Sequence, residues 1–188
     1  MQHSFLQSAI KQFEYYKSLG EKTFNQIDEQ KLFWQYNNES NSIAIIVTHL
    51  YGNMLSRWTD FLTTDGEKDW RNRDAEFENN IETKVTLLNQ WNEGWQCLFD
   101  ALNSLTPDDL EKIIYIRNQG QTVVEAINRQ LCHYAYHVGQ IVFIGKMICN
   151  ENWVSLSIPK NNSAVYNQEK FAQEKLQEHF TDAFLKNK

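Results

Sequence analysis

Four long stretches of this chain repeat apolar residues at every third and fourth position, and that period limits the possible folds more than any other feature. Residues 4–19 carry Phe5, Leu6, Ala9, Phe13 and Tyr16, with Gly20 read as the helix stop. Ser42 can cap a second helix whose inward stripe is Ile43, Ile46, Val47, Leu50, Met54, Trp58 and Phe61. A third helix is expected from about Ile81 to Leu102, with Val85, Leu88, Trp95, Leu98 and Leu102 inward. Thr122 and Glu125 match a capping box that opens a fourth, running to about Cys149. Its stripe is Val124, Ile127, Leu131, Tyr134, Val138, Ile141 and Gly145. Each stripe can be hidden only against the others, so the expected fold is an all-α four-helix bundle. Seven glycines and two prolines agree with long helices.

The segments between the helices are less regular. Residues 23–38 suit a connection with room for a short helix. The stretch "TTDGEKDWRNRDAEFENN", 63–80, reads as a long ordered loop that buries Trp70 and Phe77, and loops of this length are more often functional than short ones. "KIIYIR", "NQGQ" and "TVV" can form a small β-hairpin before the fourth helix, with Gly120 in the turn. Residues 151–165 read as an extended connection, because Pro159 and Asn161-Asn162 oppose helix. A short final helix is expected within 166–186, anchored by Phe171, Leu176, Phe180, Phe184 and Leu185. The expected organisation is therefore a bundle domain over 1–165 and a C-terminal tail over 166–188.

Charge and composition exclude several classes. A net charge of −6, a pI near 5.4 and the lack of a dense basic stripe argue against nucleic acid as a partner. No apolar run approaches the roughly 18 residues of a membrane span, and the N-terminus lacks the pattern of a signal peptide. Cys97, Cys132 and Cys149 are odd in number and widely spaced, which argues against a disulfide framework. A cytoplasmic location is expected.

The chemistry-bearing residues are histidines. "QLCHYAYHVGQIV", 130–142, places His133 and His137 one turn apart on the flank of the fourth helix's stripe. His49 sits on the equivalent flank of the second, one turn before Asn53. Spacing alone leaves two readings, imidazoles packed at a bundle edge or the arms of a metal site. Three neutral imidazoles suit Zn, Ni, Fe or Cu and leave an open position for water or substrate. There is no HExxH pattern, so a zincin protease is not supported. His3 and His179 are expected to be solvated bystanders. Cys132 projects about 100° from His133 on a helix and is expected to be a small core residue.

"VTHLYGNMLSRW" and "CHYAYHVGQI" together resemble the DinB-like (DinB/YfiT) superfamily. The stretch 49–78, "YIRNQGQTVVEAINRQ" and "SIPK" resemble one bacterial branch of it, over roughly residues 5–165. The resemblance implies a four-helix bundle in which His49, His133 and His137 bind a divalent ion, Zn or Ni first, with Fe or Mn as further options. Characterised members include metal-dependent enzymes that use low-molecular-weight thiols, such as bacillithiol transferases, so it implies thiol S-transfer to a small electrophile. A non-catalytic, stress-related bundle with a structural or vestigial metal site is the alternative. No catalytic residue is assigned.

Around the triad, Asn53, Arg57, Arg71, Arg73 and Asp74 are candidates for outer contacts. An arginine of the loop can bind a substrate carboxylate while Asp74 orients a ligand histidine. The favoured reading is that an arginine–carboxylate bridge simply pins the loop across the bundle. A homodimer is also expected, because relatives with this bundle often pair and Trp91 falls about 100° away from the inward side of its helix.

Overall fold

The computed structural model describes residues 2–79 and 81–185, with side chains from Phe5 onward. The expectation for His3 thus falls on a side chain outside the described residues. Four long helices, α1 (Gln2–Phe24), α2 (Ile43–Trp58), α3 (Lys84–Ser104) and α4 (Val123–Cys149), form an all-α bundle. A two-stranded antiparallel hairpin, β1 (Ile113–Ile116) and β2 (Gln119–Thr122), precedes α4. Two short helices, α5 (Ser163–Phe171) and α6 (Asp182–Leu185), complete the chain. Helix α2 packs on α3, and α1 packs on α4.

The bundle closes on an aromatic centre to which each helix contributes one ring. Phe13 of α1 meets Trp58 of α2, Trp95 of α3 and Tyr134 of α4, with centroids 6.4, 6.3 and 5.8 Å away. The polar atoms inside this centre are paired in series. Trp58 Nε1 donates to the Tyr134 hydroxyl at 3.0 Å, and that hydroxyl donates to Asn53 Oδ1 at 3.0 Å. Burial raises the Tyr134 pKa, so the hydroxyl keeps its proton and remains a donor. Ser42 caps α2 by accepting from Ile45 N, and Thr122 and Glu125 form the reciprocal box at α4.

Several expectations are corrected by packing. Gly20 does not stop α1, which continues to Phe24; its missing Cβ instead makes room for the Trp91 ring. Trp91 is itself buried, edge-on to Phe24 at 5.0 Å, and so is not an outward aromatic. Val85 is exposed and Leu87 takes the inward position in the first turn of α3, which begins only at Lys84. Trp70 is exposed and Phe77 is half-buried, and the side chains that the long loop buries are the charged Arg71 and Glu76. Cys132 is exposed on the outer side of α4 and is not a core residue.

The hairpin turn is Arg117-Asn118, both at positive φ (54° and 61°), while Gly120 lies in β2 opposite Tyr115. A two-residue turn of this kind suits the twist of the flanking strands. Its cost for non-glycine residues is offset by Asp65, whose carboxylate accepts from both turn N–H groups at 2.8 and 2.9 Å. These bonds hold the Asp65 pKa below the ordinary value, against the opposing effect of desolvation.

The terminal helix is broken as well. Residues 174–179 lie outside any helix, and Phe171 and Leu176 are exposed. The tail is tied to α1 by Lys11–Asp182 at 2.8 Å and by Phe180 and Phe184 against Tyr15. His179 is part of that tie and not a bystander: it lies 2.9 Å from Ser8 Oγ and 2.7 Å from Thr181 Oγ1.

Candidate metal centre

Helix α2 presents His49 and helix α4 presents His133 and His137 to one point. One nitrogen from each imidazole lies within 4.8 Å of the other two, so the group could hold a metal ion. His49 and His137 are buried and His133 is half-buried. The Nε2 atoms of His49 and His133 are 3.3 Å apart. Two imidazole ligands at 2.0–2.1 Å from a tetrahedral ion keep their nitrogens roughly 3.3 Å apart, which is the separation of this pair, while all three lie within 4.8 Å of one another.

The opposite nitrogen of each ring is also accounted for. His49 Nδ1 is 2.9 Å from Glu76 Oε2, His133 Nδ1 is 3.3 Å from Gln130 Oε1, and His137 Nδ1 is 3.3 Å from Gln140 Oε1. Ionised carboxylate and amide oxygens only accept, so each Nδ1 donates and each neutral ring keeps its lone pair on Nε2. That is the tautomer a metal site requires, fixed by neighbours before any ion arrives.

Protonation agrees with it. Burial, and then the neighbouring imidazoles, lower the His133 pKa to about 3 and the His137 pKa to about 4. Both folded values lie below the ordinary 6.5. The unfolded chain therefore takes up protons that the folded chain refuses, and stability falls as pH drops from 6.5 toward 4. The midpoint of thermal unfolding of metal-free protein is expected to decrease across that window, and to decrease less in His133→Ala. A midpoint that stays flat from pH 7 to pH 4 would contradict this protonation scheme. Metal binding, which an ordinary histidine would begin to lose near 6.5, is expected to persist to lower pH.

The loop 63–80 supplies the remaining order. Arg71, whose side chain is 2% exposed, grips Glu76 with Nε–Oε1 at 2.7 Å and a second bond to Oε2 at 2.9 Å. Desolvation alone would raise the Glu76 pKa, but the bonds from His49 and Arg71 outweigh it and keep the carboxylate ionised. Phe77 lies over the His49 ring, 4.8 Å between centroids. Arg57 donates to the Gly66 carbonyl and pairs with Glu67 at 3.2 Å, anchoring the loop's other end.

Of the outer residues expected from the sequence, Asn53, Arg57, Arg71 and Arg73 line a cavity of about 420 Å³ above the triad. Asp74 does not line it and is exposed. Glu76 holds the place expected of Asp74, because two residues along a 3-10 turn of three residues per turn point in different directions. Glu76, Gln130 and Gln140 were not foreseen. Their signals are local: Gln130 precedes His133 by three residues, and Gln140 follows His137 by three. For Glu76 the signal is Gly52, an isolated glycine within a helical pattern. A Cβ at Gly52 would strike the Glu76 carboxylate, so the glycine opens the slot in which that group sits.

Fold and site together define a helical-bundle protein with a tri-imidazole centre at the base of an open cavity. The chain belongs to the family described as "Protein of unknown function (DUF1572)", whose model matches residues 1–162. No curated protein and no solved structure matches the chain. Among the described residues, no helix is long and apolar enough to cross a membrane.

Proposed function

We propose that this is a DinB-like, cytoplasmic, divalent-metal-dependent enzyme that transfers a low-molecular-weight thiol, of the bacillithiol type, to a small electrophile. The observation that carries the reading is the triad itself: three imidazoles, each with Nδ1 committed to an acceptor, face an open cavity and not a closed shell. A purely structural site would satisfy its ion with four protein ligands, and the group here has three. Zinc or nickel is the proposed ion, since neutral imidazoles suit both, with iron or manganese as further candidates. The ion would supply Lewis acidity that lowers the pKa of a bound thiol. The chain's own residues hold His133 and His137 neutral and aim all three imidazoles, while Asn53 presents its amide to the cavity with Oδ1 already bound by Tyr134. In the transfer a C–S bond forms, the leaving group departs with its electron pair, and the thiol proton passes to solvent.

Protein purified without an affinity tag, loaded with zinc or nickel, would be assayed with cysteine and with bacillithiol against a chlorinated fluorogenic electrophile. Metal-dependent conjugation, lost in His49→Ala, is the expected result. Stoichiometric metal with no conjugation by either thiol would favour the non-catalytic bundle.

A homodimer belongs to the same proposal, though its support moves from Trp91 to the outer face of α4, where Tyr136, Phe143 and Met147 are exposed at helical spacing. Light scattering over a dilution series is expected to give twice the 22.3 kDa chain mass. A mass that stays at the single-chain value at high concentration would exclude it.

A further inference from the structure

The chain contains five arginines and thirteen lysines. All five arginines, Arg57, Arg71, Arg73, Arg117 and Arg129, line the cavity above the triad, and among the described residues no lysine and no carboxylate does. They arrive from α2, the long loop, the hairpin turn and α4, so no single element accounts for the gathering. The chain as a whole is acidic at −6, which makes the segregation sharper.

Loop anchoring explains only part of it. Glu67 is shared by Arg57, Arg71 and Arg117, and Glu76 is taken by Arg71 and His49. Arg73 lies over the Phe77 ring at 5.0 Å, and neither it nor Arg129 has an ion pair among the described residues. Two ion-paired carboxylates thus face five guanidiniums. Arg73 and Arg129 are exposed, as is the Glu67-paired Arg117, and these three form the cavity mouth, whereas the Arg57 and Arg71 side chains are buried. Guanidinium differs from ammonium in its planar fork, which matches a carboxylate or phosphate in two parallel bonds. The cavity volume lies within the range of small-molecule sites.

We propose that this cavity selects a small ligand bearing carboxylate or phosphate groups, held at its anionic end by Arg73, Arg117 and Arg129 with its reacting end toward the three histidines. The proposal rests on the reading of the triad as a reaction centre, and assigns that centre its substrate class. Arg57 and Arg71 set the field at the cavity floor, while the three at the mouth make the contacts. Oppositely charged small ligands are also drawn into a cleft lined by one sign of charge, an effect that salt weakens.

The test is isothermal titration of the zinc-loaded protein with succinate, inorganic phosphate and neutral succinamide. Succinate or phosphate is expected to bind at least tenfold more tightly than succinamide, and less tightly as salt rises. The ratio of the two anions tells a carboxylate ligand from a phosphate one. Combining Arg73→Gln with Arg129→Gln is expected to weaken anion binding at least tenfold, with zinc content and thermal midpoint unchanged. Lys146→Gln, which removes a charge from the exposed surface of α4 and not from the cavity, is expected to change nothing. Anion binding no better than succinamide, or unaffected by the double substitution, would overturn the proposal. Titrating metal-free His137→Ala separates this from the transferase reading. Arginine-dependent anion binding there, with no thiol conjugation by the native protein, leaves the anion site standing and removes the transferase. Conjugation without arginine-dependent anion binding does the reverse.

Discussion

Glu76→Ala is expected to lower metal affinity by roughly 10–100-fold, the usual cost of losing the outer partner of a ligand histidine. The same substitution is expected to destabilise the fold, because Arg71 would stay buried without the carboxylate that grips it at 2.7 Å. Removing one member of a buried pair costs about 3–5 kcal/mol. The lower end applies here, since Glu67 remains 3.5 Å from Arg71. About 3 kcal/mol corresponds to a fall of about 6–12 °C in thermal midpoint for a chain of this size. Glu76→Gln retains an acceptor for His49 but loses the charge that Arg71 requires, so its metal affinity should lie closer to native than its stability does. Chelator competition and thermal unfolding measured together check both. Native values for Glu76→Ala on both axes would show that neither His49 nor Arg71 depends on this carboxylate.

The second large effect concerns the ligands. His137→Ala is expected to reduce metal affinity at least as much as the loss of an outer partner does, beyond 10–100-fold. His179→Ala should retain full metal content, because His179 contacts Ser8 and Thr181 at the tail. Its cost should be confined to stability, about 0.5–1.5 kcal/mol per hydrogen bond lost. Metal analysis of the two variants after identical purification decides the matter. Equal metal content would remove His137 from the centre.

The four helices were legible because their signal is local. A stripe such as Leu50, Met54 and Trp58 repeats within one turn of its neighbours, and caps such as Ser42 and the Thr122–Glu125 pair use bonds three residues long. The triad was legible for a related reason: His133 and His137 share a side of one helix, and His49 lies on the matching flank of another. The resemblance of the stretches around them then brought the three together.

Exposure along each helix was less legible. Trp91, Val85 and Cys132 were misplaced because a helix wheel gives angles, whereas burial depends on what stands opposite. Gly20 became a stop in the sequence and a socket in the structure, since only the facing Trp91 ring reveals its use.

What the sequence determined by itself was the set of amphipathic helices and the three imidazoles, because both are patterns within a few turns of one chain segment. The tertiary structure alone decided which carboxylate orients His49 and that five dispersed arginines share one cavity. Those assignments join residues tens of positions apart, or depend on how a loop without periodicity crosses the bundle. The path of that loop is set by Arg57, Arg71 and the opening at Gly52, contacts that exist only once the helices have packed.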